Sequence, residues 1–109
     1  MKTYRGVREG YAADVTVNGR PLNPRLDLVN HSPTGFEWGY RGSGPAQLAL
    51  AILADHLRDD ERVLRVHQDF KEAVIARLPH GSWTITGEEI NQALRKIKAS
   101  VSSEAGLSV

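Results

Sequence analysis

Residues 42–57 read GSGPAQLALAILADHL, and this stretch separates a part of the chain that predicts strands and turns from a part that predicts helices. Its first four residues are typical of a helix start, because Ser43 or Gly44 can cap the helix and Pro45 suits the first helical position. The segment from Ala46 to Leu57 is apolar nearly all round, which is typical of a helix buried on every side. We therefore predict that residues 46–57 form the most buried helix of the protein.

The chain after this segment predicts two more helices. The acidic residues that follow Arg58 favour a second helix start. Its apolar face comprises Val63, Val66, Phe70, Val74 and Leu78. Pro79 to Gly81 ends that helix, and residues 82–85 can form a short extended segment. Thr86 and Glu89 match a capping box, in which each side chain satisfies an amide at the start of a helix. The apolar face of this third helix comprises Ile90, Leu94, Ile97 and Val101.

The chain before residue 42 predicts strands and turns. Thr3 to Arg8 is a candidate strand, and residues 13–17 alternate between apolar and polar, as in a half-buried strand. Asn18-Gly19 is a strong hairpin signal, and Pro21 places the short return arm at a sheet edge because proline has no amide hydrogen to donate. Further strands are predicted at residues 26–28 and 36–41. In the latter, Phe36, Trp38 and Tyr40 share one face, and Trp38 and Tyr40 are expected to pack against the central helix.

Strands followed by helices predict an α+β fold, with a small antiparallel sheet from the N-terminal part packed against three helices. A chain of 109 residues is long enough for one such domain. We assign residues 1–101 to a single domain. Residues 102–109 lose the apolar pattern and are expected to form a flexible C-terminal tail.

Composition excludes several classes of protein. The chain has no cysteine, which rules out disulfides, thiolate metal sites and thiol nucleophiles. Its four histidines lack the close spacing of a helical zinc site, so we expect no metal and no cofactor. No apolar run follows the charges of the N-terminus, as a signal peptide would require, and the longest apolar run is too short for a membrane span, so the cytoplasm is the expected compartment. The net charge of +1 predicts no strong overall field, although a local basic face is compatible with it.

The turn from Arg41 to Gln47 is the candidate ligand site. Helix N-termini present unpaired amides and a positive dipole end, which together favour an anion. Arg41 can add a charge-assisted hydrogen bond. Gly42 and Gly44 have no side chain, so a ligand could approach the backbone closely. The predicted binding residues are Arg41, Gly42, Ser43, Gly44, Ala46 and Gln47.

A structural interpretation competes with this site. The glycines permit a tight turn, Ser43 caps the helix, and Arg41 pairs with Glu37 or Asp55. In that case no donor is left for a ligand. The motif matches neither a P-loop nor a dinucleotide fingerprint, because no Gly-Lys-Ser/Thr follows and residue 47 is glutamine.

Catalysis has one weaker candidate pair. His31 lies in a polar turn close in sequence to Glu37, and the two could act in acid–base chemistry. No serine lies in a nucleophile elbow, and the acidic residues near Asp59 lack EF-hand spacing. His67 falls on the apolar face of the second helix and is expected to be a hydrogen-bonded histidine at the edge of the core.

Four stretches of the chain resemble a family of short, uncharacterised proteins from bacteria, archaea, and their phages and plasmids. They are residues 30–40 (NHSPTGFEWGY), 42–51 (GSGPAQLALA), 68–71 (QDFK) and 78–83 (LPHGSW). The resemblance covers most of the chain and brings no assigned activity. It implies a small accessory protein of mobile-element origin.

Three functions remain open on the sequence. The first is a non-enzymatic binding or regulatory protein that takes an anionic ligand or nucleic acid at the Arg41–Gln47 turn. The second is a protein–protein adaptor or inhibitor of mobile-element origin, which would show an exposed apolar surface. The third is a small enzyme that uses His31 and Glu37.

Overall fold

The computed structural model describes residues 2–107, and side chains from residue 2 to residue 98. The elements follow in the order β1 (Thr3–Glu9), β2 (Ala12–Val17), β3 (Arg20–Pro21), α1 (Ser43–Leu57), α2 (Asp60–Ala73), a 3-10 turn (Ile75–Arg77), β4 (Trp83–Thr86) and α3 (Gly87–Leu107). The predicted α+β fold is confirmed. No described helix is long and apolar enough to cross a membrane.

The four strands form one antiparallel sheet in the order β3-β2-β1-β4. Three strands come from the N-terminal part, with β3 at an edge as Pro21 predicts. The fourth, β4, is the short extended segment between the second and third helices. It pairs with β1 so that Tyr4 faces Ile85 and Gly6 faces Trp83.

One face of the sheet belongs to the hydrophobic core. Tyr4, Val15, Trp83 and Ile85 are buried there together with the apolar side chains of the helices. Gly6 is required in β1, because a Cβ at this position would lie 2.3 Å from the indole of Trp83. The sheet is therefore one layer and the helices the other.

Helix α1 is the central element of the helical layer. Its residues 44–54 are all buried, including Leu50 and Ile52 at 0% exposure. The prediction that α1 is the most deeply buried helix is confirmed. Because Gly42 is the N-cap, Pro45 occupies the third helical position rather than the first.

The remaining helices match the prediction in part. Asp59 caps α2 by accepting a hydrogen bond from the amide of Arg62. Helix α2 ends at Ala73, earlier than expected, because Val74 leaves the helical conformation at φ −124°. The capping box of α3 is confirmed: the Glu89 amide donates to Thr86 Oγ1 over 3.2 Å, and the Thr86 amide donates to Glu89 Oε1 over 3.1 Å.

The predicted strands at residues 26–28 and 36–41 are wrong, because residues 22–42 form a long loop between β3 and α1. Arg25 has a φ of 54° and Gly39 a φ of 85°, and neither conformation continues a strand. The aromatic side chains also do not share one face. Trp38 is buried at 1% exposure, whereas Tyr40 is 51% exposed.

The predicted division between a domain at residues 1–101 and a tail at 102–109 stays a prediction. The backbone of α3 is described as far as Leu107. The side chains from residue 99 onward, including Val101 of the predicted apolar face, lie outside the described residues.

Candidate functional site

The amides at the start of α1 are partly occupied. Gly42 is the N-cap in an extended conformation, and no side chain caps the helix, so the expected cap at Ser43 is absent. The Ala46 amide donates to the carbonyl of Gly42 over 3.0 Å. The amide of Ala46, one of the predicted binding residues, is therefore already paired, and the uncapped amides belong to the residues just before Pro45.

The two glycines of the turn are explained by packing within the chain. A Cβ at Gly42 would lie 2.7 Å from the Tyr40 ring, and a Cβ at Gly44 would lie 2.7 Å from Cβ of Glu37. The space beside these glycines, which was expected to admit a ligand, is thus filled by the side chains of Tyr40 and Glu37.

Arg41, which precedes α1, forms an ion pair with a residue of α2. Its side chain is 74% exposed, and its Nε lies 2.6 Å from Oε2 of Glu72 on α2. The partners considered from the sequence are engaged elsewhere. Arg8 forms a bidentate pair with Glu37 at 2.7 and 3.2 Å, and Asp55 accepts hydrogen bonds from Lys2 and the Tyr4 hydroxyl.

Gln47 is fully buried and holds the long loop. Its Oε1 accepts hydrogen bonds from the amides of His31 at 2.7 Å and Ser32 at 3.0 Å. Its Nε2 donates to the carbonyls of Pro24 at 2.6 Å and Val29 at 3.0 Å. All four hydrogen-bonding positions of the amide are used, so Gln47 has no group free for a ligand.

Two of the six predicted residues line a cleft. This polar cleft, of about 450 Å³, lies beside the start of α1. Its lining includes Ser43 and Gly44, the hydroxyl side chains of the long loop, and two carboxylates, Asp14 and Glu37. Ala46 and Gln47 are buried away from solvent. The carboxylates oppose the positive end of the helix dipole, so the cleft is not a simple anion site.

The predicted catalytic pair is not assembled. Glu37 binds Arg8, whose hydrogen bond holds the pKa of that carboxyl below its usual range. His31 Nε2 instead lies 3.0 Å from His67 Nε2. Within the described part of the chain no three histidine, aspartate or glutamate side chains lie close enough to hold one metal ion.

The histidine pair joins the long loop to α2. His67 Nδ1 lies 3.1 Å from the carbonyl oxygen of Val63, which can only accept, so Nδ1 carries the hydrogen. His67 Nε2 is then an acceptor for the Nε2–H of His31. Burial lowers the pKa of His31, and the nearby His67 and Lys71 lower it further. The pair therefore favours the neutral form of His31.

A basic groove lies between α2 and α3, on surface that sequence reasoning did not single out. We call it the α2–α3 groove. The main part has a volume of about 610 Å³ and is lined by Arg62, Arg65, Val66, Asp69, Leu94, Ile97 and Lys98. An adjoining depression of about 220 Å³ shares Arg62, Leu94 and Lys98 and adds Asn91 and Arg95.

Among the residues whose side chains the structure describes, the cations of this groove have no acidic partner. Arg62, Arg65, Arg95 and Lys98 are exposed, and none of them forms an ion pair with any described residue. Asp69 is the one carboxylate in the described lining. The floor is apolar, with Leu94 buried and Val66 and Ile97 half-buried. The described lining thus combines four cations and one carboxylate with an apolar base.

A second groove is apolar. It runs between the end of α2, β4 and α3, has a volume of about 550 Å³, and includes Phe70, Val74, Ile85, Ile90 and Ile97 in its lining. We call it the β4–α3 groove. Glu89 and Lys96 are charged residues of its lining.

Comparison with known proteins gives one match. The model of a family of unknown function, DUF6166, matches residues 4–96. The chain belongs to the DUF6166 family. The matched residues run from β1 into α3, so the DUF6166 region contains the polar cleft, the histidine pair and all the α2–α3 groove except Ile97 and Lys98. No curated protein and no solved structure matches the chain.

Proposed function

We propose that this protein is a non-enzymatic binding protein whose α2–α3 groove takes a polyanionic ligand. The observation that carries the proposal is the group of four exposed cations, Arg62, Arg65, Arg95 and Lys98, none of which has an acidic partner among the described residues. Unpaired cations at close range repel one another, and an anion removes that repulsion.

The types of residue support an oxyanion ligand. Three of the four cations are arginines, and the planar guanidinium presents paired N–H donors that match the oxygens of phosphate or carboxylate. On each helix the two cations are three residues apart, which places their Cβ atoms about 5–6 Å from each other on one face. The groove can therefore contact several charges along an extended ligand rather than one isolated ion.

The Arg41–Gln47 turn stays a competing site for the same kind of ligand. Its uncapped amides favour an anion. However, Asp14 and Glu37 line the adjacent cleft, and Arg41 is paired with Glu72. The electrostatics of the turn are thus less favourable to a polyanion than those of the α2–α3 groove.

Heparin binding to the full chain tests the proposal. We expect a double variant, Arg62→Ala with Arg95→Ala, to elute from immobilised heparin at clearly lower salt than the wild type. The matched control is Arg5→Ala with Arg20→Ala, which removes the same charge from exposed positions on the sheet. Equal elution of the two variants would mean that net charge, and not the groove, determines binding. If Arg41→Ala alone lowered the salt concentration needed for elution, the binding site would be the Arg41–Gln47 turn and not the groove.

A protein–protein adaptor is the second candidate, because the β4–α3 groove lies beside the edge strand β4 and its half-buried apolar side chains stay partly accessible. Substituting Ala93→Glu, at a half-buried position in this groove, should abolish a partner interaction without changing heparin binding. The mobile-element origin and the enzymatic alternative with His31 and Glu37 stay predictions.

A further inference from the structure

The chemistry of the α2–α3 groove also bears on which polyanion it binds. Resting on the proposed function, we infer that the ligand is double-stranded nucleic acid, held through its phosphate backbone. Three features of the groove support this inference: the arrangement of its cations, the kind of side chain that is missing from it, and the shape of its apolar floor.

The arrangement of charge suits a regular row of phosphates. Arg62 and Arg65 line α2, and Arg95 and Lys98 line α3, so cations stand on both helices that form the groove. A duplex presents one phosphate charge for about every 1.7 Å of its axis, a higher density than one strand provides. Several cations can therefore bind phosphates together, and each contact releases counterions from the duplex.

The described lining of the α2–α3 groove lacks the aromatic side chains on which single-strand binders stack bases. Asn91 is the only amide side chain in that lining, and its Oδ1 is held by Nε2 of His56 at 2.7 Å. Contacts to the backbone alone position a duplex without sequence preference.

The floor of the groove disfavours a membrane surface. Leu94 is buried and Val66 and Ile97 are only half-buried, whereas a peripheral membrane helix inserts protruding apolar side chains between lipids. The floor instead leaves the methylene stems of the arginines and the lysine room to pack while their charged ends extend outward.

Fluorescence anisotropy with the full chain and short fluorescein-labelled nucleic acids tests the inference. We expect DNA or RNA duplexes of unrelated sequence to bind with equal affinity, and the matching single strand to bind at least about threefold more weakly. If all four cations contact phosphates, the logarithm of the association constant falls with the logarithm of the salt concentration, with a slope of about −3 to −4. Arg62→Ala with Arg95→Ala should reduce that slope by about 2 and weaken binding on the order of tenfold.

The other probes separate this inference from the proposed function. Polyphosphate and poly-glutamate serve as polyanions without a duplex, and anionic lipid vesicles serve as a surface. Preference for the single strand, or equal affinity for polyphosphate or poly-glutamate, would overturn the duplex assignment and leave the polyanion groove standing. Tight binding to vesicles but not to duplex would also overturn it. Failure of every polyanion to bind would remove both proposals.

Discussion

Gln47 offers the most direct test of how the fold is held together. Its amide makes four hydrogen bonds to the long loop, at 2.6, 2.7, 3.0 and 3.0 Å, from a position with 0% exposure. Gln47→Leu keeps nearly the same volume but leaves two amides and two carbonyls without partners. Each unsatisfied buried group costs about 1–3 kcal/mol, and the loop amides can regain water where the loop meets the surface.

The expected loss of stability is therefore about 3–5 kcal/mol, which is a large part of the 5–15 kcal/mol or so that such a domain has in total. With a typical dependence on denaturant, this lowers the midpoint of urea unfolding by about 2 M. Circular dichroism during a urea titration measures this midpoint. Gln68→Leu on the exposed side of α2 is the matched control and should leave the midpoint almost unchanged.

Gln47→Glu adds an internal check. The carboxylate would face the carbonyl oxygens of Pro24 and Val29, so its pKa should rise and the variant should gain stability relative to the wild type as the pH falls. An unchanged urea midpoint for Gln47→Leu would contradict the reasoning, because it would mean that the long loop is held by other contacts.

Two further predictions concern pH and helix capping. Because the pKa of His31 is lowered in the folded state by burial, His67 and Lys71, the unfolded chain binds more protons near pH 6.5, and stability should fall as the pH drops through that value. Urea midpoints measured on both sides of pH 6.5 should show a smaller drop for His31→Gln than for the wild type, and equal drops would remove the histidine pair as the cause. Thr86→Ala should destabilise the protein by about 1 kcal/mol through loss of the cap on α3. Thr86→Ser should destabilise it less, because serine keeps the hydroxyl. Equal stability of the wild type and the alanine variant would show that the cap contributes little to the stability of the protein.

The elements that sequence reasoning predicted well have strong local signals. The hairpin at Asn18-Gly19, the largely apolar helix α1 and the capping box at Thr86 each follow from residues that are close in the chain. The predicted strand at 36–41 failed because its alternation of aromatic residues is also compatible with a loop. Gly39 at φ 85° ends any strand there, and none of the strands of the described sheet comes from these residues.

The functional surface was harder to predict. Gln47 did carry a signal, because a glutamine inside an otherwise apolar buried helix must find hydrogen-bond partners, but the sequence does not show that those partners lie in residues 24–32. The α2–α3 groove needs Arg62 and Arg65 on one helix beside Arg95 and Lys98 on another, and only the packing of the helices brings them together. A net charge of +1 conceals such a local excess.

Amide chemical-shift mapping by NMR tests the central claim most directly. The isotopically labelled full chain would be titrated with a short DNA duplex at low salt, where phosphate contacts are strongest. We expect the largest shifts in residues 62–69 of α2 and 91–98 of α3, with little change around the polar cleft. Shifts concentrated in residues 41–47 and the neighbouring long loop, with α2 and α3 unaffected, would contradict the assignment of the groove.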